Sequence, residues 1–166
     1  MTKAQMTDQG CGARTRVMVA AVGSAAALGG AFVFQSLGYA PCHLCILERW
    51  PHAAAVVIGL AILALRLPMV TALLGALAAL TTAGIGIYHS LVERHIIAGP
   101  DSCTAAKPAQ MSAADLLAQI QNTPLVRCDD IAWSFLGVTM PNLNVVLSLI
   151  LAAIWVSAFV KARKTT

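Results

Sequence analysis

Residues 17–34 read VMVAAVGSAAALGGAFVF, and nothing in that stretch carries a charge. A helix needs about 20 mostly apolar residues to cross the hydrocarbon of a bilayer, and with its flanks this run reaches that length. It is not alone. Leu67 to Val92 and Leu143 to Val160 are also free of charge, and a fourth apolar run follows Arg49 and ends at Leu65. The 166 residues are 58% hydrophobic and 11% charged, against roughly 25% charged for an ordinary soluble domain. Too little charge is left to cover a globule in water. A soluble, Ala-rich helical protein is disfavoured, and the four runs predict an all-α membrane protein.

The first run follows Arg14 and Arg16, as a secretory signal core would. Its apolar stretch outlasts the 7–15 residues usual for such a core, and three more spans follow. It is therefore expected to stay as a helix. Breakers set the remaining boundaries. Gly38 and Pro41 end the first span, and Leu67-Pro68 makes a tight turn between the second and third. Pro51 predicts a bend early in the second. The expected organisation is a single membrane domain over 1–166, with helices over about 16–37, 43–66, 68–92 and 142–160. Residues 1–13 are expected to be disordered. One long loop is expected over about 93–141, with a short amphipathic helix around Leu116, Leu117 and Ile120.

Charge gives the orientation. Lys3, Arg14, Arg16, Arg66, Lys161, Arg163 and Lys164 fall on one side with a single acid, Asp8, for a net +6. The other two loops hold Arg49, Arg94, Lys107 and Arg127 against six acids, for a net −2. Lys- and Arg-rich segments stay in the cytoplasm, so both termini are expected inside and the long loop outside. The overall charge of +4 is then an orientation signal and needs no nucleic-acid partner.

This topology sorts the five cysteines. Cys42, Cys45, Cys103 and Cys128 fall outside, and Cys11 is left inside. Disulfides persist outside the cytoplasm and are kept reduced within it. Cys42-His43-Leu44-Cys45 sits where the second helix begins. Cysteines three apart at a helix start share a face, and the exposed N–H groups there favour a thiolate. A redox dithiol, a structural disulfide and half of a zinc site all fit the motif. A Cys₄ zinc site is disfavoured, because such sites use two close-spaced pairs and only one is present. Cys103 and Cys128 lie 25 residues apart in a Pro-containing loop, where a disulfide would either staple the loop or exchange with a thiolate from another protein.

Arg49 lies one helical turn after Cys45. It either stabilises a thiolate or a cofactor, or extends to the headgroups or pairs with Glu48. His89, at the outer end of the third helix, suits a quinone carbonyl or a proton. Gln35, near the outer end of the first, is a further hydrogen-bonding candidate. A haem held by His52 and His89 has nothing else in its favour.

Three stretches carry a resemblance: Pro41-Cys42-His43-Leu44-Cys45-Ile46-Leu47-Glu48-Arg49; Gly99-Pro100-Asp101-Ser102-Cys103; and Cys128-Asp129 followed by Trp133-Ser134-Phe135-Leu136-Gly137-Val138-Thr139-Met140-Pro141. In order and topology the chain resembles the DsbB family of bacterial inner-membrane thiol oxidases, from about Val17 to Val160. The resemblance implies a four-transmembrane-helix bundle with both termini cytoplasmic and its active cysteines periplasmic. It implies Cys42, Cys45, Cys103 and Cys128 as catalytic residues, paired as Cys42–Cys45 and Cys103–Cys128. It further implies a membrane quinone (ubiquinone or menaquinone) near Arg49, His89 and Gln35, with a periplasmic DsbA-like thiol oxidase as partner. The alternatives are a vitamin-K-epoxide-reductase-like oxidase with another partner, or a four-helix protein stapled by two structural disulfides.

Overall fold

A computed structural model describes residues 3–100, 112, 114, 117 and 126–164. Four long helices carry the chain: α1 (Lys3–Ser36), α2 (His43–Ala64), α3 (Ala72–Glu93) and α4 (Met140–Arg163). A 3₁₀ turn, Met69–Thr71, leads into α3. Each helix is long and apolar enough to cross a membrane, the first over Gly12–Ser36. The start of α1 at Lys3 differs from the expected disordered tail: extending an existing helix costs far less than nucleating one. The amphipathic helix expected around Leu116, Leu117 and Ile120 falls mostly outside the described residues, as does Cys103.

α1 packs on α2 and α4, and α3 packs on the same two helices, which closes a four-helix ring. The packing is inverted relative to a water-soluble bundle. Small residues face inward: Ala20, Ala55, Ala72, Ala76, Ala79 and Ala158, with Ser24, Thr82 and Ser148 among them. Large apolar side chains such as Val22, Val57, Leu60 and Leu77 face outward. Lipid gives helices no hydrophobic reason to associate, so small residues at the contacts let the backbones approach. Trp155 is the large residue at the centre, fully buried. It lies flat against Gly75, where an added Cβ would stand 2.5 Å from the indole.

The ends of the helices follow from local chemistry. α1 stops where Gly38 takes φ 99°, and the Tyr39 N–H donates to the Phe34 carbonyl at 3.1 Å, a left-handed C-terminal cap. Before α4, two short antiparallel strands, β1 (Ser134–Phe135) and β2 (Val138–Thr139), pair across Leu136-Gly137. Both turn residues have positive φ, as a two-residue hairpin requires. Pro141 then sits in the first turn of α4, where its missing N–H costs nothing. Pro51 lies inside α2, which continues through it. Next to the bond that Pro51 cannot make, the Thr82 hydroxyl donates to the Glu48 carbonyl at 3.0 Å.

Candidate active site

Cys42 is the N-cap of α2. Its sulfur accepts from the Cys45 backbone N–H at 3.1 Å, so the cap ties the motif to the helix terminus. Cys42 is buried and Cys45 partly so; both are free, with their sulfurs 2.6 Å apart. The Cys45 thiol hydrogen bond holds the Cys42 thiol below its ordinary range, helped by the Cys45 N–H and opposed by burial and the Glu48 charge.

α3 brings His89 to this pair. Its Nε2 lies 3.5 Å from the Cys42 sulfur, and its Nδ1 lies 2.8 Å from Glu48 Oε1. Glu48 Oε2 accepts from the Asn144 amide at 2.8 Å. A carboxylate only accepts, so His89 Nδ1 carries the proton and Nε2 is left as a base facing the thiol. Cys42, His89 and Glu48 thus form a buried thiol–imidazole–carboxylate line, with Cys42 and Glu48 from α2 and its N-cap and His89 from α3. Glu93 is one turn beyond His89, with its Oε1 4.0 Å from Nε2.

Cys128 is fully buried and belongs to the same apolar cluster as Cys42, Leu44 and Val92. It is disulfide-bonded. Beside it, Arg127 is paired with Asp129, and this guanidinium contact holds the Asp129 carboxyl below its ordinary range. Cys103, the partner that the resemblance implies, lies outside the described residues.

Arg49 points toward α1. It donates to Gln35 Oε1 at 2.8 Å and to the Ala31 carbonyl at 3.4 Å, and its guanidinium lies 5.0 Å from the centre of the Phe32 ring. Gln35 therefore positions Arg49. Among the described residues, the hydrogen bonds of Arg49 go to α1 and to neither sulfur. Between α1, α2 and α4 opens a cavity of about 270 Å³. Cys45, Glu48, Arg49, His52, His89 and Asn144 form its polar end. Phe34, Tyr39 and Trp133 flank it, edge to face at 5.7 and 5.8 Å between ring centres. Its walls are otherwise Ala, Gly, Leu and Pro, with Met140.

The chain belongs to the DsbB family. The family's model, described as disulfide bond formation protein DsbB, matches residues 13–158. An uncharacterized protein of Rickettsia prowazekii (strain Madrid E) is 30% identical over 116 residues, 68% of this chain and 67% of that protein. No solved structure matches. As a DsbB family member with four helices fit to span a membrane, the chain is a disulfide oxidoreductase of multi-pass membrane type.

The geometry assembles Cys42, Cys45 and His89 at one point. Their ligand atoms fall within 4.8 Å of one another, close enough for a soft metal ion as well as for thiol chemistry. Arg49 and Gln35 join at the cavity's α1 side. Sequence reasoning overlooked Glu48, Asn144, Thr82 and Ser148 as members of the site. Their signal was depth: polar side chains within apolar spans are costly and are retained for a purpose.

Proposed function

We propose that this DsbB family member is a quinone-dependent protein-thiol oxidase of the bacterial inner membrane, with both termini cytoplasmic and its active cysteines periplasmic. The single observation that carries this reading is the free Cys42/Cys45 pair, with Cys45 opening onto an apolar cavity. The cavity's polar end holds two buried nitrogens that have no partner among the described residues, Arg49 Nε and His52 Nδ1. A flat apolar ring with polar edges suits that lining, and ubiquinone and menaquinone both have that form. Arg49, held by Gln35, together with His89 would hold it. A quinone bound there would accept two electrons and two protons.

The residues of the chain supply the rest. A reduced DsbA-like protein attacks Cys103 of the Cys103–Cys128 disulfide and leaves oxidised. Cys128, already packed in one cluster with Cys42, attacks Cys42 of the Cys42–Cys45 disulfide and releases Cys45 toward the cavity as a thiolate; Cys103 then attacks Cys128, which re-forms Cys103–Cys128 and leaves Cys42 and Cys45 as the reduced pair. His89 Nε2 takes the Cys42 proton whenever that pair is reduced, and Glu48 keeps the ring in the tautomer that can do so. Arg49 keeps a permanent positive charge at the cavity rim. A pair serving only as a structural staple would have no use for a buried His–Glu base beside it.

The trapping experiment is direct. In Cys45→Ser the free Cys42 thiolate can attack Cys128 of the Cys103–Cys128 disulfide and release Cys103 as a thiol, so protein isolated without reductant should carry a Cys42–Cys128 crosslink that peptide mass spectrometry identifies. A Cys45→Ser protein that never forms this crosslink would contradict the exchange step.

A further inference from the structure

His52 sits on α2 one turn below Arg49 and lines the same cavity, with 3% of its surface exposed. Its Nε2 lies 2.9 Å from Asn144 Oδ1 and 3.5 Å from the Ser148 hydroxyl. Among the described residues, its Nδ1 is buried and has no partner. A buried polar atom without a partner is uncommon in a native structure and calls for an explanation.

The surrounding bonds fix which nitrogen bears the proton. The Glu48 carbonyl can only accept, so the Thr82 hydroxyl donates to it. Thr82 Oγ1 then accepts from the Asn144 amide at 3.1 Å, and the same amide nitrogen donates to Glu48 Oε2. With its nitrogen so committed, Asn144 Oδ1 must accept. It does so from Ser148 at 3.3 Å and from His52. His52 Nε2 is therefore the N–H, and in the neutral ring Nδ1 is left with a bare lone pair on a side chain that lines the cavity.

That lone pair discriminates between two redox forms of one ligand. A quinone ring carries carbonyl oxygens, which only accept. The corresponding quinol carries hydroxyls, which donate. We propose that His52 is a binding residue for the reduced form, taking a hydrogen bond from a quinol hydroxyl at Nδ1. The inference rests on the quinone reading above. The balance is complete: as Cys42 and Cys45 form their disulfide, two S–H bonds break and one S–S bond forms. The pair gives up two electrons and two protons, which turn two carbonyls into two hydroxyls, and one of these faces His52. Tighter binding of quinol than of quinone makes the bound quinone a stronger oxidant than the free one, which draws electrons out of the dithiol.

The test measures binding, not turnover. In full-length Cys45→Ser protein in lipid nanodiscs, a short-chain ubiquinone and its quinol are titrated separately by calorimetry. Adding His52→Leu should weaken quinol binding about tenfold, the loss expected for one buried hydrogen bond, and leave quinone binding within about twofold. Ring-¹⁵N-labelled histidine gives a second readout without altering His52. Its Nδ1 signal should lie in the unprotonated range and shift on adding quinol but not quinone. Equal losses for both forms, a larger loss for quinone, or a protonated Nδ1 would overturn the proposal. If the His52-containing protein bound neither form, the quinone reading itself would fall, and this inference with it. If it bound both and His52→Leu changed neither, only the role of His52 would fall.

Discussion

His89 Nε2 stands 3.5 Å from the Cys42 sulfur, and both residues are buried. On the far side of the ring, Glu48 fixes the proton on Nδ1. The consequence is a base aimed at a thiol, built from α2 and α3. His89→Ala should lower turnover about 100-fold, the lower range for a positioned general base. The deficit should shrink as pH rises, because the thiol then ionises without help. A pH–rate profile parallel to that of the unaltered protein would contradict the assignment.

Glu48→Gln tests the tautomer. A glutamine can turn its amide N–H toward His89 Nδ1, which favours the proton on Nε2 and removes the base from Cys42. Turnover should fall at least tenfold, while binding of the DsbA-like partner, measured by calorimetry, stays unchanged.

The cavity, with two nitrogens that lack a partner among the described residues, was not readable from the sequence, although much else was. Four charge-free runs predicted four helices, and the four are present. Gly38 and Pro41 located the start of α2 near Cys42, and the structure shows the Cys42 sulfur capping that helix. The assembly at Cys42 was less visible. His89 was expected at a quinone, but packing of α3 against α2 turns its ring toward Cys42 and Glu48 while it still lines the cavity. Arg49 was expected beside a thiolate or cofactor, at the headgroups or paired with Glu48, and the close approach of α1 lets Gln35 and the Ala31 carbonyl hold it at the cavity wall. These contacts depend on the rotation of each helix about its axis. In a membrane bundle that rotation is set by small-residue contacts such as Gly75 against Trp155, and periodicity alone does not reveal them.

Arg49 and Gln35 give a prediction about binding. The planar guanidinium spans Gln35 and the Ala31 carbonyl, which an ammonium cannot do as well. Arg49→Lys should raise the KM for quinone several-fold with little change in kcat, and Arg49→Ala should raise it further. Gln35→Leu should produce a smaller rise of the same kind. An unchanged KM for Arg49→Ala would remove its role in the cavity.

Asp129 gives a pH dependence. Its carboxyl is held below the ordinary range by Arg127. A depressed folded-state value means that the clamp is present above the unfolded value of about 3.9 and is lost as pH falls through the lower folded value. Between pH 5 and 8 it should be constant. Reduction of the Cys128 disulfide by a phosphine should therefore be faster in Asp129→Asn than in the unaltered protein at pH 7. The difference should vanish as the medium is acidified below the ordinary carboxylate range. A difference that persists there would show that Asp129 acts through something other than its charge.

Gly75 tests the packing. An added Cβ would meet the Trp155 ring at 2.5 Å, and Trp155 is fully buried. Gly75→Ala should destabilise the bundle by about 1–3 kcal/mol, as overpacking of a full core does, read as a lower thermal midpoint in detergent.

The central claim is that Cys45 is the point where electrons leave the protein. The most direct measurement is anaerobic, with a reduced DsbA-like protein and quinone supplied together and quinol formation followed by absorbance. The unaltered chain should form one quinol per dithiol oxidised, and Cys45→Ser should form none while retaining its helical circular dichroism and its affinity for quinone. Continued quinol formation by a folded, quinone-binding Cys45→Ser protein would contradict the account.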